Sequence, residues 1–278
     1  MKLQGHYLAG GRTPCACDRR RWEIGNAVEF ETGLSIMDYS SSALVPRCRR
    51  VFSSYLESFG YTLESGTDME FWCDEIRRHS EFVNPQFMPE NLDQSASRYV
   101  SIRKESGELA CTIAFRFFET DDFMDDFEEG RFFYDRPSEH NWRHHHSGLR
   151  GKVNLSGNIC SRGGLHSYDR GNSISWYITT VAYTYAIEAG ASATVGNTLP
   201  KITAAQLAPR LYGYRHSLMA EPHAFPFAEG EVPLALVWIT EDEMREEVRM
   251  RTQYLETAPG YSMRTTVDSF NGILMAAE

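Results

Sequence analysis

No stretch of the 278-residue sequence is apolar for long enough to cross a membrane as a helix. The opening residues, MKLQGHYLAGG, carry one lysine and no long apolar core, so they do not read as a secretory signal. Cysteine is sparse. Cys15, Cys17, Cys48, Cys73, Cys111 and Cys160 are scattered, which excludes a disulfide mini-scaffold and sets the expectation of a reducing, cytoplasmic setting. Positive charge is the scarcer sign: 28 Lys and Arg face 38 Asp and Glu, and a net charge of -10 argues against a uniformly basic nucleic-acid binder. Several motifs are missing too. There is no Gly-Lys-Ser/Thr phosphate loop, no three-glycine dinucleotide fingerprint and no Gly-x-Ser-x-Gly elbow. Internal repeats and low-complexity linkers are absent.

Aromatic residues are plentiful: 16 Phe, 14 Tyr and 5 Trp supply the apolar area a core requires. Residues 1–31 show no period and read as an irregular arm, and 34–39 as a short strand. Leu44, Cys48, Val51, Phe52, Tyr55 and Leu56 recur at three and four, which predicts a helix over 42–58. A second helix is expected over 67–79 with Met69, Phe71, Trp72 and Ile76 inward. Two alternating runs around Glu105-Ser106-Gly107-Glu108 predict an antiparallel hairpin over 99–119. Strands are expected at 151–160, 191–195, 211–215 and 232–239, and helices at 173–188, 203–210 and 241–256. Helices mixed with an antiparallel hairpin indicate an α/β or α+β layer, more readily one domain with insertions than two.

The strongest local signal is RGGLHSYDRGNSISWYITTVAYTYAIEAG, residues 162–190. A strand leads into a polar turn and then a helix. The first amides of a helix lack intrahelical partners, and the positive end of its dipole faces the turn. Such a turn suits a phosphate or pyrophosphate. Arg170 adds a charge-assisted donor, Asp169 is placed to support it, and Gly171 lets the backbone turn or approach a ligand.

These residues resemble the acyl-CoA-binding motif of the GNAT acyltransferase superfamily. Arg170, Gly171, Asn172, Ser173, Ile174 and Ser175 fall on the family's Arg/Gln-x-x-Gly-x-Gly/Ala loop, with Leu165 to Asp169 as its lead-in. Ser173 and Ser175 stand where the family usually has glycine or alanine. Ala205, Leu207, Ala208, Leu211, Tyr212, Gly213 and Tyr214 resemble the family's helix followed by Tyr-x-x-Gly-Phe, here compressed. The resemblance implies an α/β, GNAT-like fold with a mostly antiparallel central sheet flanked by helices. That domain would span 1–278, with the N-terminal arm at about 1–31 and a C-terminal extension at about 241–278. It further implies direct acyl transfer from acetyl-CoA or a longer acyl-CoA to an amine of a small molecule or peptide. Leu165 and Arg170 to Ser175 would hold the cofactor. His166, as neutral imidazole, is a candidate base, or else a loop cap. Tyr212 or Tyr214, of which Tyr212 matches better, would protonate the leaving thiolate. An acyl-carrier-protein donor docking on Arg143 and Arg150, and a non-catalytic CoA-binding domain, are the alternatives.

Three other clusters stand out. Asp121, Asp122, Asp125 and Asp126 lie in an acidic run with Glu119, Glu128 and Glu129. They read as a solvated loop or as a wall for a cationic acceptor. His144, His145 and His146 are adjacent, and Cys15-x-Cys17 has no second pair, so no metal site is expected. Cys160 reads as a core residue rather than a nucleophile.

Overall fold

The computed structural model describes residues 41–225, 230–258 and 260–277. The irregular arm, the strand expected at 34–39, Cys15 and Cys17 lie outside the described residues. The first elements are α1 (Ser41–Glu57), β1 (Tyr61–Gly66) and α2 (Met69–Arg78), followed by the hairpin β2 (Ser97–Lys104) and β3 (Leu109–Thr120). Next come α3 (Phe123–Glu129), β4 (Gly157–Ser167), α4 (Ile174–Glu188) and β5 (Ala193–Thr198), then the short helices α5 (Pro200–Ala204) and α6 (Leu207–Arg210). The remainder is β6 (His216–Met219), β7 (His223–Ala224), β8 (Glu231–Val232), β9 (Ala235–Thr240), α7 (Glu241–Thr257) and α8 (Met263–Ala277).

Seven strands form one sheet in the order β1-β2-β3-β4-β5-β9-β6, and β7 and β8 form a separate pair. Every neighbour in the large sheet is antiparallel except β4 and β5. The fold is therefore mixed α/β, a largely antiparallel central sheet flanked by helices. A parallel neighbour requires a crossover, and α4 is that crossover. All of α4 is buried except Tyr185 and Glu188, so its apolar residues encircle it rather than forming one stripe.

α1, α4 and α7 cover one face, where Phe52, Trp176, Ile178, Val181 and Val248 pack with Ile102, Phe115 and Val237. On the other face Trp72, Ile76 and Phe87 form one cluster, and Phe123, Phe127, Phe132, Ile159 and Val195 another. Each such side chain contributes roughly 1.5–3 kcal/mol on burial. The buried stripe of α2 is Met69, Trp72, Cys73 and Ile76, at helical spacing, while Phe71 falls off it and is 43% exposed.

Two boundaries differ from the sequence reading in ways that matter for function. The strand expected at 151–160 runs instead from Gly157 to Ser167, because Gly163-Gly164 sits inside it rather than ending it. Residues 211–215 form no strand. Gly213 has φ +77° there, which breaks the alternation that would put Tyr212 and Tyr214 on one face.

Candidate functional site

β4 and β5 pair only through Ile159–Ala193, Cys160–Thr194 and Ser161–Val195. Beyond that point β4 stays with β3 as far as Ser167, and β5 stays with β9 as far as Thr198. The sheet thus parts between its two central strands toward their C-terminal ends. Across the same stretch, Thr112 and Ala114 of β3 face His166 and Gly163 of β4, so β4 carries one extra residue. Such a bulge takes a residue out of the ladder and leaves backbone polar groups there unpaired. Gly164 has φ +56°, and a Cβ on it would lie 2.6 Å from Cη2 of Trp72. Only glycine admits both this backbone and the indole packed upon it.

The turn between β4 and α4 sits at the mouth of this opening. Trp176 N–H donates to the Ser173 carbonyl at 2.9 Å, so the amides of Ile174 and Ser175 precede the first bond of the helix. Ser173, the N-cap residue, has φ 52° and makes no side-chain capping bond. Arg170 and Gly171 are exposed, and Arg170 has no hydrogen-bond or ionic partner among the described residues. Gly171 has φ +117° with no atom within 4 Å of a Cβ built upon it. Free amides, an uncapped dipole and an unpaired cation fit an anionic phosphate. Asp169 does not support Arg170. Its carboxylate accepts from the Tyr61 phenol and from Asn172 Nδ2, at 3.3 Å for the latter, and Asn172 also donates to Tyr61 at 3.1 Å. A carboxylate that would repel a phosphate is thereby held toward β1, and burial together with Asp169 pushes the Tyr61 phenol up to about 12. Leu165, on the preceding strand, packs against the α4 side of the core.

Tyr212 and Tyr214 lie across the opening, on the α4 side. The Tyr212 carbonyl accepts from Arg162 Nη2 and from the Tyr183 hydroxyl, both at 2.8 Å. The preceding Leu211 carbonyl accepts from Thr179 Oγ1 at 3.0 Å and Arg251 Nη1 at 3.3 Å. Gly213 between the tyrosines passes close to Arg251 and Tyr183, where a Cβ would meet both at 3.0–3.1 Å. The backbone is fixed, yet the Tyr212 hydroxyl has no partner among the described residues. Tyr214 differs: it is 5% exposed, its hydroxyl accepts from Arg162 Nε at 3.2 Å, and it fills the space left by Gly196 of β5.

His166 faces the α2 side. Its ring lies 6.4 Å from that of Trp72, and its Nε2 is buried with no partner among the described residues. Burial lowers its pKa, against the pull of Glu81, so the imidazole is neutral at neutral pH. Sequence reasoning gave no role to two other buried polar side chains. Tyr168, just past the end of β4, has a buried hydroxyl and Asn197 of β5 two buried amide atoms, all without a partner among the described residues. The sequence signal for Asn197 was a lone amide in a short β-branched strand, where asparagine is disfavoured.

The acidic run stands at the other end of β4. Thr120 pairs with Gly157, the first residue of a strand of eleven. At about 3.3 Å per residue this puts it about 33 Å from Ser167. Asp122 caps α3 through Met124 N–H at 2.8 Å, Asp125 pairs with Arg150 at 2.5 Å, and Asp126 pairs with Arg131 at 2.6 Å. Asp121 is exposed. Arg150 also binds Glu128 at 2.5 Å, and His144 binds Glu129 at 3.0 Å. Asp125, Asp126 and Glu128 are therefore paired with Arg131 and Arg150 within one insertion. Cys160 is 1% exposed, and burial raises its thiol to about 12, as a core residue requires.

No family model matches the chain, and no curated protein matches it. Solved structures do. FeeM, an N-acyl amino acid synthase from uncultured soil microbes, is 15% identical over 73% of this chain and 87% of its own, with a TM-score of 0.36. NAA60 of Arabidopsis thaliana, solved in complex with acetyl-CoA, is 9% identical over 66% and 99%, at 0.42. A GNAT-family acetyltransferase from Streptococcus pneumoniae is 10% identical over 65% and 99%, at 0.40. These are likenesses of fold.

Proposed function

We propose that the chain transfers an acyl group from acyl-CoA to an amine by direct attack. The observation that carries this reading is the parting of β4 from β5 beyond Ser161 and Val195, with an uncapped helix start at its mouth. Arg170 and the amides around Gly171 to Ser175 would hold the pyrophosphate, with Leu165 on the strand beside it. Acetyl-CoA or a longer acyl-CoA supplies the activated acyl carbon as a thioester. The bulge at Gly163–Leu165 offers backbone N–H groups, which stabilise developing negative charge on oxygen when they are held in place beforehand. His166 Nε2 accepts a proton from the amine on the α2 side. Tyr212 donates one to sulfur on the α4 side, since burial raises its phenol and keeps it protonated at neutral pH. The two proton transfers thus take place on opposite faces of the sheet, and the opening connects them.

Native mass spectrometry of the purified protein with added acetyl-CoA and longer acyl-CoAs tests binding, and single-turnover assays across amine classes test transfer. CoA binding without transfer to any amine would select a non-catalytic binding domain. Absence of both would reject the reading.

A further inference from the structure

The end of α2 is built to bring a carboxylate over β4. Ser80 N–H donates to the Arg77 carbonyl at 2.9 Å and Glu81 N–H to the Ile76 carbonyl at 3.3 Å, with Ser80 left-handed at φ 57°. This helix ending is normally closed by glycine, so serine adopts it at a cost. The result is that Glu81 Oε2 lies 3.9 Å from His166 Nδ1. The imidazole is restrained on its faces. Its ring lies 6.4 Å from Tyr168, with 10° between the planes, and His79 stacks on Tyr168 at 4.2 Å. The titratable groups facing His166 are Glu81 and His79 from the end of α2 and Tyr168 from just past β4. Glu75, further back on α2, is engaged by Arg103 at 2.8 Å. Glu81 is thus the one carboxylate beside the imidazole not committed to another cation among the described residues.

We propose that Glu81 is a positioning residue for His166 and that the pair selects an acceptor arriving as an ammonium ion. This rests on the acyltransferase reading. The carboxylate favours the tautomer with the proton on Nδ1, leaving the Nε2 lone pair, which has no partner among the described residues, for the substrate. An N–H bond of the ammonium breaks and an Nε2–H bond forms; the freed amine lone pair forms the C–N bond as the C–S bond breaks, the leaving thiolate takes the Tyr212 proton, and the second proton shed by the nitrogen restores the phenol. The imidazolium so produced is compensated by Glu81. The same carboxylate attracts a cationic acceptor, and it would oppose one bearing only a carboxylate.

The test uses the full chain and the variant Glu81→Gln, chosen because the Glu81 side chain is 47% exposed and its amide isostere leaves the helix ending intact. The titration of His166 is followed by NMR of its Cε1–H, assigned by its loss in His166→Gln. The expected result is at least a threefold rise in the imidazolium dissociation constant. Single-turnover transfer should slow at least tenfold with unchanged CoA affinity, and Glu81→Asp should recover part of both. An unchanged titration overturns the proposal, as does an altered titration with an unaltered transfer rate. If the wild-type protein transfers to no amine, the acyltransferase reading falls, and the titration alone decides whether the pair is coupled.

Discussion

Arg162 and Tyr214 meet where β4 and β5 begin to part: Nε donates to the phenol at 3.2 Å, and the guanidinium carbon lies 4.5 Å from the ring centroid. Arg162 is 3% exposed and has no carboxylate in contact among the described residues. Its remaining bonds go to the Thr179 carbonyl, the Tyr183 hydroxyl and the Tyr212 carbonyl. A buried cation held by neutral acceptors depends on each of them. Tyr214 is therefore structural. Tyr214→Phe should cost about 1.5–3 kcal/mol of stability, the range for a hydrogen bond to a charged group. Urea denaturation measures this. A change within error would mean that the guanidinium finds water in place of the phenol.

Gly171 supplies the second prediction. Its φ of +117° is open to glycine and strained for a β-branched residue, while the space around it is empty. Gly171→Val therefore disturbs the loop backbone without a clash in the core. The CoA dissociation constant should rise at least tenfold, about 1.4 kcal/mol, with little change in thermal stability. Calorimetry on the folded variant checks it, and unchanged affinity would remove this turn from the cofactor site.

Regular elements were legible wherever the local pattern and the tertiary environment agree. The hairpin of β2 and β3 follows from alternation around Gly107, and α1 follows from its apolar stripe. Legibility fails where a residue is chosen for a partner distant in sequence. Ser161-Arg162-Gly163-Gly164 reads as the end of a strand by propensity. It continues as strand because Arg162 is met by three tyrosines from two other segments and Gly164 by the Trp72 indole. The polar turn before α4 was readable because its signals, Gly171 and the helix start, are local. Glu81 was not, because its link to His166 crosses 85 residues and depends on a left-handed serine that no periodicity signals. The acidic run left a solvated loop and an acceptor wall both open because charge density in sequence does not show that Arg131 and Arg150 fold back upon it.

Stability in acid supplies the third prediction. Glu243 closes the capping box of α7. It accepts from Thr240 N–H and Oγ1, both at 2.9 Å, and its carboxylate lies 2.9–3.0 Å from His216 Nε2. Burial pushes its pKa up, but the bonds from His216 and Thr240 outweigh this and bring it from 4.5 to about 2. A folded-state value below the unfolded one stabilises the protein fully above the unfolded pKa. That contribution is lost as pH falls from about 4.5 toward 2. Glu243→Gln should thus be less stable near neutrality, by about 1 kcal/mol for a capping interaction. The gap to wild type should narrow steadily between pH 4.5 and 2. Urea denaturation over that range checks both. A gap that is constant with pH would mean that the carboxylate gains nothing from its ionised form in the fold.

The proton donor to sulfur is the last prediction. In the sequence Tyr212 is the better match and Tyr214 the second candidate, and the structure separates them by environment. The hydroxyl of Tyr214 is occupied by Arg162, while that of Tyr212 is unpartnered and its main chain is held by Arg162 and Tyr183. A fixed backbone with an uncommitted hydroxyl is the arrangement a general acid requires, because the donor must reach the leaving group without first breaking a bond. Burial adds to this by raising the phenol above its ordinary value, so the proton is present throughout the neutral range. Tyr212→Phe should lower the single-turnover rate at least tenfold and leave CoA affinity and unfolding free energy nearly unchanged. Tyr214→Phe should show the reverse pattern, with stability lost and the chemical step largely retained in the folded fraction. Rapid-quench transfer assays with an amine acceptor, run beside calorimetry with CoA, resolve rate from binding. Equal rates for wild type and Tyr212→Phe would remove Tyr212 from the chemistry. A selective rate loss in a stable Tyr214→Phe would move the role there, against the hydrogen bond that now holds its hydroxyl.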